Sequence, residues 1–378
     1  MADTKVKMQQ DACEIQTVYL IQKELEFRGK NKNSNSFEVY EELLKYVNDR
    51  PALKGMDELR KCAYFKNNVE YIPGFVNRLI SKFPNSTFSV EDVEKEYRNL
   101  NLKGDFLIKV HDNDEQEISF SLKNYEKSCN TIQTCSGTYI SFVNNFIFTP
   151  NGVGYFTNPL SGERFKGSNI DVRNNILSSI GYESIISHMN NLDELGKLIK
   201  KKYVHEDKAE YWENISADWK KDCEYYGEKA IENTLLILKA FSKEEVTSRL
   251  LKMIGFDGKE ELLLIDQKGS YDSFTSDSFN ALIHKIRNSE VSFDKKGKSI
   301  LFSFVDDANV ILEIRIPYTI NANGAWYRPK NKYSGREWHP KEKSYLYHGQ
   351  RRPKKSRELA PSINTYVELG KTGVLNEI

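Results

Sequence analysis

Apolar residues recur at helical spacing through the first quarter of the chain and then switch to every second position, which predicts helices followed by a β-hairpin. Residues 16–27 form the first helical pattern. After a polar linker at 28–34, a second covers 37–47, with apolar positions at 39, 43, 44 and 47, Asn35 as N-cap and Glu38 three residues later. Further helices are expected at 56–67 and 73–82. A fourth is expected at 90–99, capped by Ser89 and carrying Glu91 and Asp92 in its first turn, where the helix dipole favours acids.

The strand rhythm begins at Gly104-Asp105-Phe106-Leu107-Ile108-Lys109-Val110, crosses a polar turn and returns at Glu117-Ile118-Ser119-Phe120-Ser121-Leu122-Lys123. Residues 140–149 alternate like a further strand, and the glycines and prolines of 150–167 read as loop. The pattern over 174–253 is helical again. Strands are expected at 261–266, 299–305 and 310–316, the last two joined by Asp306-Asp307-Ala308-Asn309 as a second hairpin. The fold class is α/β or α+β. Its parts are a helical region at 1–89, a core carrying the first hairpin at 90–170, and a helical and β region at 171–378.

Composition places the chain among globular proteins: 378 residues with 39% hydrophobic, 12% aromatic and 29% charged positions can bury a substantial core. No apolar run reaches the length of a membrane helix and no secretory segment opens the chain, so a soluble cytoplasmic protein without membrane contact is expected. Cys13, Cys62, Cys129, Cys135 and Cys223 are odd in number and form no Cys-x-x-Cys pair, which argues against a disulfide framework or a structural zinc site. Phosphate-loop and dinucleotide fingerprints are absent.

The net charge of +1 conceals an uneven distribution. Between 328 and 358 lie Arg328, Lys330, Lys332, Arg336, Lys341, Lys343, Arg351, Arg352, Lys354, Lys355 and Arg357 against only Glu337, Glu342 and Glu358. Trp326, Tyr327, Tyr333, Trp338, Tyr345 and Tyr347 are interleaved. Cations that neutralise phosphates beside rings that stack on bases describe a nucleic-acid contact. Asn321 and Asn323, just upstream, add amides suited to adenine edges, and Arg328 suits guanine.

The first hairpin supplies candidate chemistry. Centring its turn near Asn113-Asp114 sets Asp105 opposite Lys123 and Leu107 opposite Ser121, so a carboxylate and an ammonium converge. A hard carboxylate recruits Mg²⁺, and a nearby lysine orients a water nucleophile and offsets developing charge on a phosphate. Glu96 is the nearest second acid, with Glu94 beside it, and the Leu122 carbonyl is a further oxygen donor.

Gly104-Asp105 followed by Ser121-Leu122-Lys123, with Gln133 ahead of Cys135-Ser136-Gly137-Thr138, resembles the PD-(D/E)xK nuclease superfamily, and within it the type II restriction endonucleases. The resemblance covers residues 90–140. It implies a mixed β-sheet core flanked by helices, Mg²⁺-dependent cleavage of double-stranded DNA at a short specific sequence, and action as a homodimer. Asp105 and Glu96 would hold the metal with the Leu122 carbonyl, Lys123 would position or deprotonate water, and Gln133 would orient Lys123 or a phosphate. Two positions depart from the pattern. Gly104 replaces the proline, and Ser121 replaces the second acid, which calls for Glu96, Glu117 or Gln133 as a substitute.

A cleaner Asp-x-Lys stands at Asp266-Gln267-Lys268, but its upstream acid would have to be Asp257 or Asp222, neither placed on a partner strand; a solvated turn is the plainer expectation. The alternative function is a non-catalytic nucleic-acid-binding protein in which the hairpin is structural and the basic aromatic segment makes the contact.

Overall fold

Two long helices lay their apolar stripes on the same sheet in the computed structural model. It describes all residues except 1, 34, 93–104, 113–114, 128–130, 153, 204–215, 255–260, 276, 322–324, 327–335, 340–343, 348–357, 360–361 and 371–378. The helices are α1 (Ala2–Phe27) and α4 (Ala63–Lys82); between them lie α2 (Ser36–Asn48) and the short α3 (Met56–Leu59). The sheet has the order β1 (Thr87–Asp92), β2 (Phe106–His111), β3 (Gln116–Asn124), β8 (Glu261–Asp266) and β9 (Gly269–Asp272). It is mixed. β1, β2 and β3 form an antiparallel meander, β8 runs parallel to β3, and β9 folds back antiparallel.

Val18, Ile21 and Leu25 of α1 and Ile72, Phe75, Val76 and Leu79 of α4 keep helical spacing and pack on the even-numbered residues of β1, β2 and β3 together with Leu263 and Ile265. Phe106 stacks on Phe120 at 5.2 Å and Phe75 meets the same ring edge-on at 5.4 Å. Leu262 and Leu264, on the opposite face of β8, join a second core. A strand buried on both faces needs a continuous apolar run, which is what Leu262-Leu263-Leu264-Ile265 offers.

That second core lies against an antiparallel sheet of order β10 (Glu290–Lys296), β11 (Ser299–Asp306), β12 (Asn309–Asn321), β17 (Ser362–Gly370) and β4 (Thr131–Thr138). The expected hairpin at 306–309 is present, with Asp307 and Ala308 both at positive φ, 44° and 65°. Helices α5 (Tyr139–Ile147), α6 (Ile170–Ser179), α7 (Glu183–Tyr203), α8 (Ser216–Leu238), α9 (Lys243–Met253) and α10 (Asp277–Asn288) complete the α+β architecture. Among the described residues no helix is long and apolar enough to cross a membrane.

Several expectations are corrected. Thr87–Asp92 is a strand paired residue by residue with β2, so Ser89 does not cap a helix, and its hydroxyl lies 2.8 Å from His111 Nε2; the rest of the helix expected there, 93–99, lies outside the described residues. Phe88 and Val90 alternate inward, and cross-strand pairing outweighs the acidic first-turn signal. Residues 139–147 are helical because Tyr139, Phe142, Val143, Phe146 and Ile147 all enter the core at helical spacing and Thr138 accepts the Ser141 N–H. The stretch at 150–167 holds a small meander of β5 (Thr149–Pro150), β6 (Tyr155–Thr157) and β7 (Arg164–Lys166). α1 begins at Ala2 rather than 16, and α4 runs through Pro73 because both halves bury a face. Asn35 makes no capping bond; Glu26 of α1 accepts from Ser36 N and Oγ instead, at 3.2 and 2.6 Å.

The pairings of β3 with β8 and of β4 with β17 join segments on either side of residue 170, so neither sheet is confined to one of the sequence regions.

Candidate active site

The stacked Phe106–Phe120 pair sets the hairpin register: Phe106 opposes Phe120, Leu107 opposes Ser119 and Ile108 opposes Ile118. Asp105 therefore meets the Ser121-Leu122 peptide rather than Lys123, and Leu107 does not oppose Ser121. The offset arises because opposed residues sum to 226 and not, as those two pairs require, to 228. Asp105 is fixed twice to β3, its N–H donating to the Phe120 carbonyl at 2.6 Å and its Oδ2 accepting the Leu122 N–H at 2.5 Å. Lys123 reaches the next peptide along, donating from Nζ to Ser121 Oγ at 3.0 Å and to the Leu122 carbonyl at 3.2 Å. Asp105, Ser121, Leu122 and Lys123 are thus brought together, with acid and amine each bonded to the backbone of Leu122. A charged donor on a neutral hydroxyl holds the Lys123 side chain in place without neutralising it.

Lys123 opens on a cavity of about 420 Å³ between α1, the start of α4, the end of β3, β4 and β17. Gln133 lines it too, and its backbone N–H donates to the Tyr125 hydroxyl at 3.0 Å. The carboxylate lining the cavity is Glu14 of α1, which the sequence reading missed. Glu96 lies outside the described residues. Glu117 is no substitute: it pairs with Lys109 at 3.6 Å, six residues along β3 from Lys123, about 20 Å away.

A buried polar cluster holds Glu14 at this end of the sheet. Asn68 of α4 donates to Thr17 Oγ1 at 2.8 Å and Gln16 Oε1 at 3.1 Å, both on α1, and accepts from Asn124 Nδ2 at 2.8 Å at the end of β3. Asn67 donates to the Tyr125 carbonyl at 2.7 Å. Cys13 lies inside the cluster, and burial pushes its thiol far above the ordinary range, with Glu14 adding to the shift and the Asn68 and Asn124 contacts opposing it. A thiol so held is a packing group, not a nucleophile.

The donor chemistry bears on Mg²⁺. Among the described residues no three His, Cys, Asp or Glu side chains converge to hold a metal ion. Mg²⁺ is commonly bound by one or two carboxylates, with waters and substrate phosphates completing its shell. The Asp105 carboxylate beside the Leu122 backbone fits that shared mode and does not fit a closed protein cage; Glu14 lines the neighbouring cavity as the next carboxylate.

Other candidates resolve differently. Asp266 is fully buried and its Oδ1 accepts the Lys268 N–H at 2.8 Å across the two-residue β8–β9 turn, while Lys268 is exposed; this element is a turn stabilised by its own aspartate. At the far end of the hairpin Ser89, His111 and Glu115 lie in hydrogen-bonding sequence, 2.8 and 3.2 Å apart, but Ser89 is buried and exposes no nucleophile. Of the DNA-contact residues, Asn321 ends β12 opposite Ser362. Trp326 pairs with Glu358 between β13 (Ala325–Trp326) and β16 (Glu358–Leu359). Arg336 pairs with Tyr347 between β14 (Arg336–His339) and β15 (Ser344–Tyr347). Asn323, Arg328, Lys330, Arg351, Arg352, Lys354 and Lys355 lie outside the described residues. The Asn321–Ser362 pair brackets the basic segment in sequence and lies four residues along β17, about 13 Å, from Tyr366, which lines the cavity.

No protein-family model, curated protein or solved structure matches this chain significantly.

Proposed function

We propose that the chain is a Mg²⁺-dependent endonuclease that hydrolyses phosphodiester bonds of double-stranded DNA at a short specific sequence, in the manner of type II restriction enzymes. The observation that carries this reading is that Asp105 and Lys123 both bond to the backbone of Leu122, one to its N–H and the other to its carbonyl, at one end of a mixed sheet with a cavity beside it. The Leu122 N–H orients the Asp105 carboxylate, and Ser121 orients the Lys123 ammonium. Asp105, the Leu122 carbonyl and Glu14 would hold Mg²⁺, which supplies polarisation of the scissile phosphate and a lower pKa for bound water. Lys123 places positive charge where negative charge develops on the phosphate oxygens and directs a water towards phosphorus. Gln133 stands at the rim as a neutral hydrogen-bonding group for the phosphate or the water. The basic aromatic segment rooted at Asn321–Ser362 would hold the duplex over this end of the sheet, and a homodimer would present two such sites to a palindrome.

Incubation with plasmid DNA and Mg²⁺ tests the reading. Discrete fragments from the native protein and none from Lys123→Ala are expected. Fragments that persist in Lys123→Ala would remove the assigned site, whereas salt-dependent DNA binding without any cleavage would favour a non-catalytic nucleic-acid-binding protein.

A further inference from the structure

The cavity beside Lys123 is roomier than an ammonium–phosphate contact requires, and three tyrosines stand among its otherwise mostly polar lining. Tyr64 at the start of α4, Tyr125 after β3 and Tyr366 on β17 line it, with the amide side chains of Gln10 and Gln133 at exposed positions of its rim. One of the rings is held at its hydroxyl: Tyr125 accepts the Gln133 N–H at 3.0 Å. Tyr125 is anchored at its backbone as well, its N–H donating to the Ile265 carbonyl at 2.9 Å and its carbonyl accepting from Asn67 at 2.7 Å. Rings fixed at both ends lose little freedom when a planar ligand stacks on them.

A bare phosphate site needs cations and N–H donors. Three rings with two amides suit a flat heteroaromatic ligand that hydrogen-bonds through its edge. About 420 Å³ lies near the lower end of small-ligand pockets, enough for one nucleotide and too little for stacked base pairs. Lys123 stands at the wall of the same cavity, placed to meet the phosphate attached to such a nucleotide.

We infer that this cavity receives a single nucleobase turned out of the DNA stack, next to the phosphate at Lys123. The inference deepens the nucleic-acid reading of the site and rests on it for the source of the base; a free mononucleotide has the same chemistry and is separated by the test. A cavity open at an exposed rim, with Lys123 in its wall, lets a base enter from the solvent side while its phosphate stays at the mouth.

The test compares two labelled short duplexes by fluorescence anisotropy in EDTA, one fully paired and one with a single unpaired adenosine at its centre. The full-length protein is expected to bind the unpaired duplex about tenfold or more tightly, because the cost of opening the stack is already met. In Gln10→Trp, where an indole occupies the rim, and in Tyr366→Leu, which removes one ring, the ratio of the two affinities is expected to fall towards one. Equal affinities in the native protein, or a preference that survives both substitutions, would overturn the inference. So would displacement of the unpaired duplex by free deoxyadenosine monophosphate as readily as by unlabelled duplex. Plasmid cleavage in parallel keeps the two readings apart. Cleavage without the preference overturns the base pocket alone, the preference without cleavage supports it while the endonuclease reading fails, and no binding of either duplex overturns both.

Discussion

Asn124 at the end of β3 donates to Asn68 Oδ1 at 2.8 Å, and Asn68 donates in turn to Thr17 Oγ1 at 2.8 Å, so one fully buried side chain joins the strand carrying Lys123 to the helix carrying Glu14. Each buried polar group left without its partner costs about 1–3 kcal/mol. Asn68→Ala orphans more than one, and its unfolding free energy in urea is expected to drop by at least about 2 kcal/mol. Asn68→Ala with Asn124→Ala is expected to cost less than the sum of the single changes, since the two share a bond. Strict additivity would show that the cluster does not act as a unit.

A second junction depends on the absence of a side chain. Gly227 of α8 packs so closely on Tyr318 of β12 that a Cβ would lie 1.7 Å from the Tyr318 ring. Gly227→Ala gains helix propensity but must displace a buried ring, and overpacking of this kind costs about 1–3 kcal/mol or more. The melting temperature should fall, and adding Tyr318→Leu, which removes the ring atoms nearest the new Cβ, should restore part of it. A melting temperature that rises in Gly227→Ala would contradict this packing.

Cys13 links stability to pH. Burial makes the native thiol hold its proton more tightly than the unfolded chain does, where it titrates near 9.0. The stabilisation is therefore complete below pH 9.0 and shrinks as pH climbs above it towards the folded value, by about 1.4 kcal/mol per pH unit for one group. Tyr139 and Tyr46, whose hydroxyls burial also raises above 10.0, steepen the decline at higher pH. Urea titrations between pH 8 and 10 should show this fall, and Cys13→Ser, which keeps an acceptor for Asn68 and Asn124 but does not ionise, should flatten its first part. Equal slopes in the two proteins would place Cys13 outside the linkage.

Local pattern was legible in the sequence wherever one face of an element meets one core. The hairpin strands alternate between the packed and open faces, and Phe37 to Val47 carries a clean helical stripe, so both were readable. Residues 139–147 were not, because near-continuous apolar runs satisfy either period and only burial at 139, 142, 143, 146 and 147 decides between them. The hairpin register depended on a turn whose length the sequence does not state, and a stacked ring pair, Phe106 on Phe120, settled it. Glu14 was out of reach for another reason. With the first helix begun at residue 16 it belonged to no element, and its place on the same cavity as Lys123 depends on tertiary packing through Asn68, which leaves no trace in spacing.

The proposed function gives Asp105 a metal-binding purpose beside its strand-pairing one, and substitution can separate the two. Asp105→Asn keeps an oxygen that can accept the Leu122 N–H and loses only the charge. Cleavage of plasmid DNA is expected to fall about a hundredfold or more with little change in melting temperature, because a neutral amide is a poor ligand for Mg²⁺. Asp105→Ala should lose the hydrogen bond as well and melt lower. An Asp105→Asn protein that cuts at the native rate would take Asp105 out of the chemistry and leave it a strand-pairing residue.

The absent acid at Ser121 and the unforeseen acid at Glu14 make one connected prediction. If Glu14 supplies from α1 the negative charge that Ser121 lacks, Glu14→Gln should slow cleavage about ten- to a hundredfold while leaving the fold intact, since Glu14 is only half buried. Ser121→Glu would restore a carboxylate within reach of Lys123 Nζ, which now lies 3.0 Å from the Ser121 hydroxyl. In the Glu14→Gln background, that substitution should recover part of the lost rate. In the native background it should recover nothing, because a second acid is already present and the added charge crowds it. Rates of plasmid nicking for the native protein, both single variants and the double variant decide the matter. A double variant no faster than Glu14→Gln would mean that the two positions are not interchangeable, and that Glu14 shapes the cavity wall without taking the place of the missing acid.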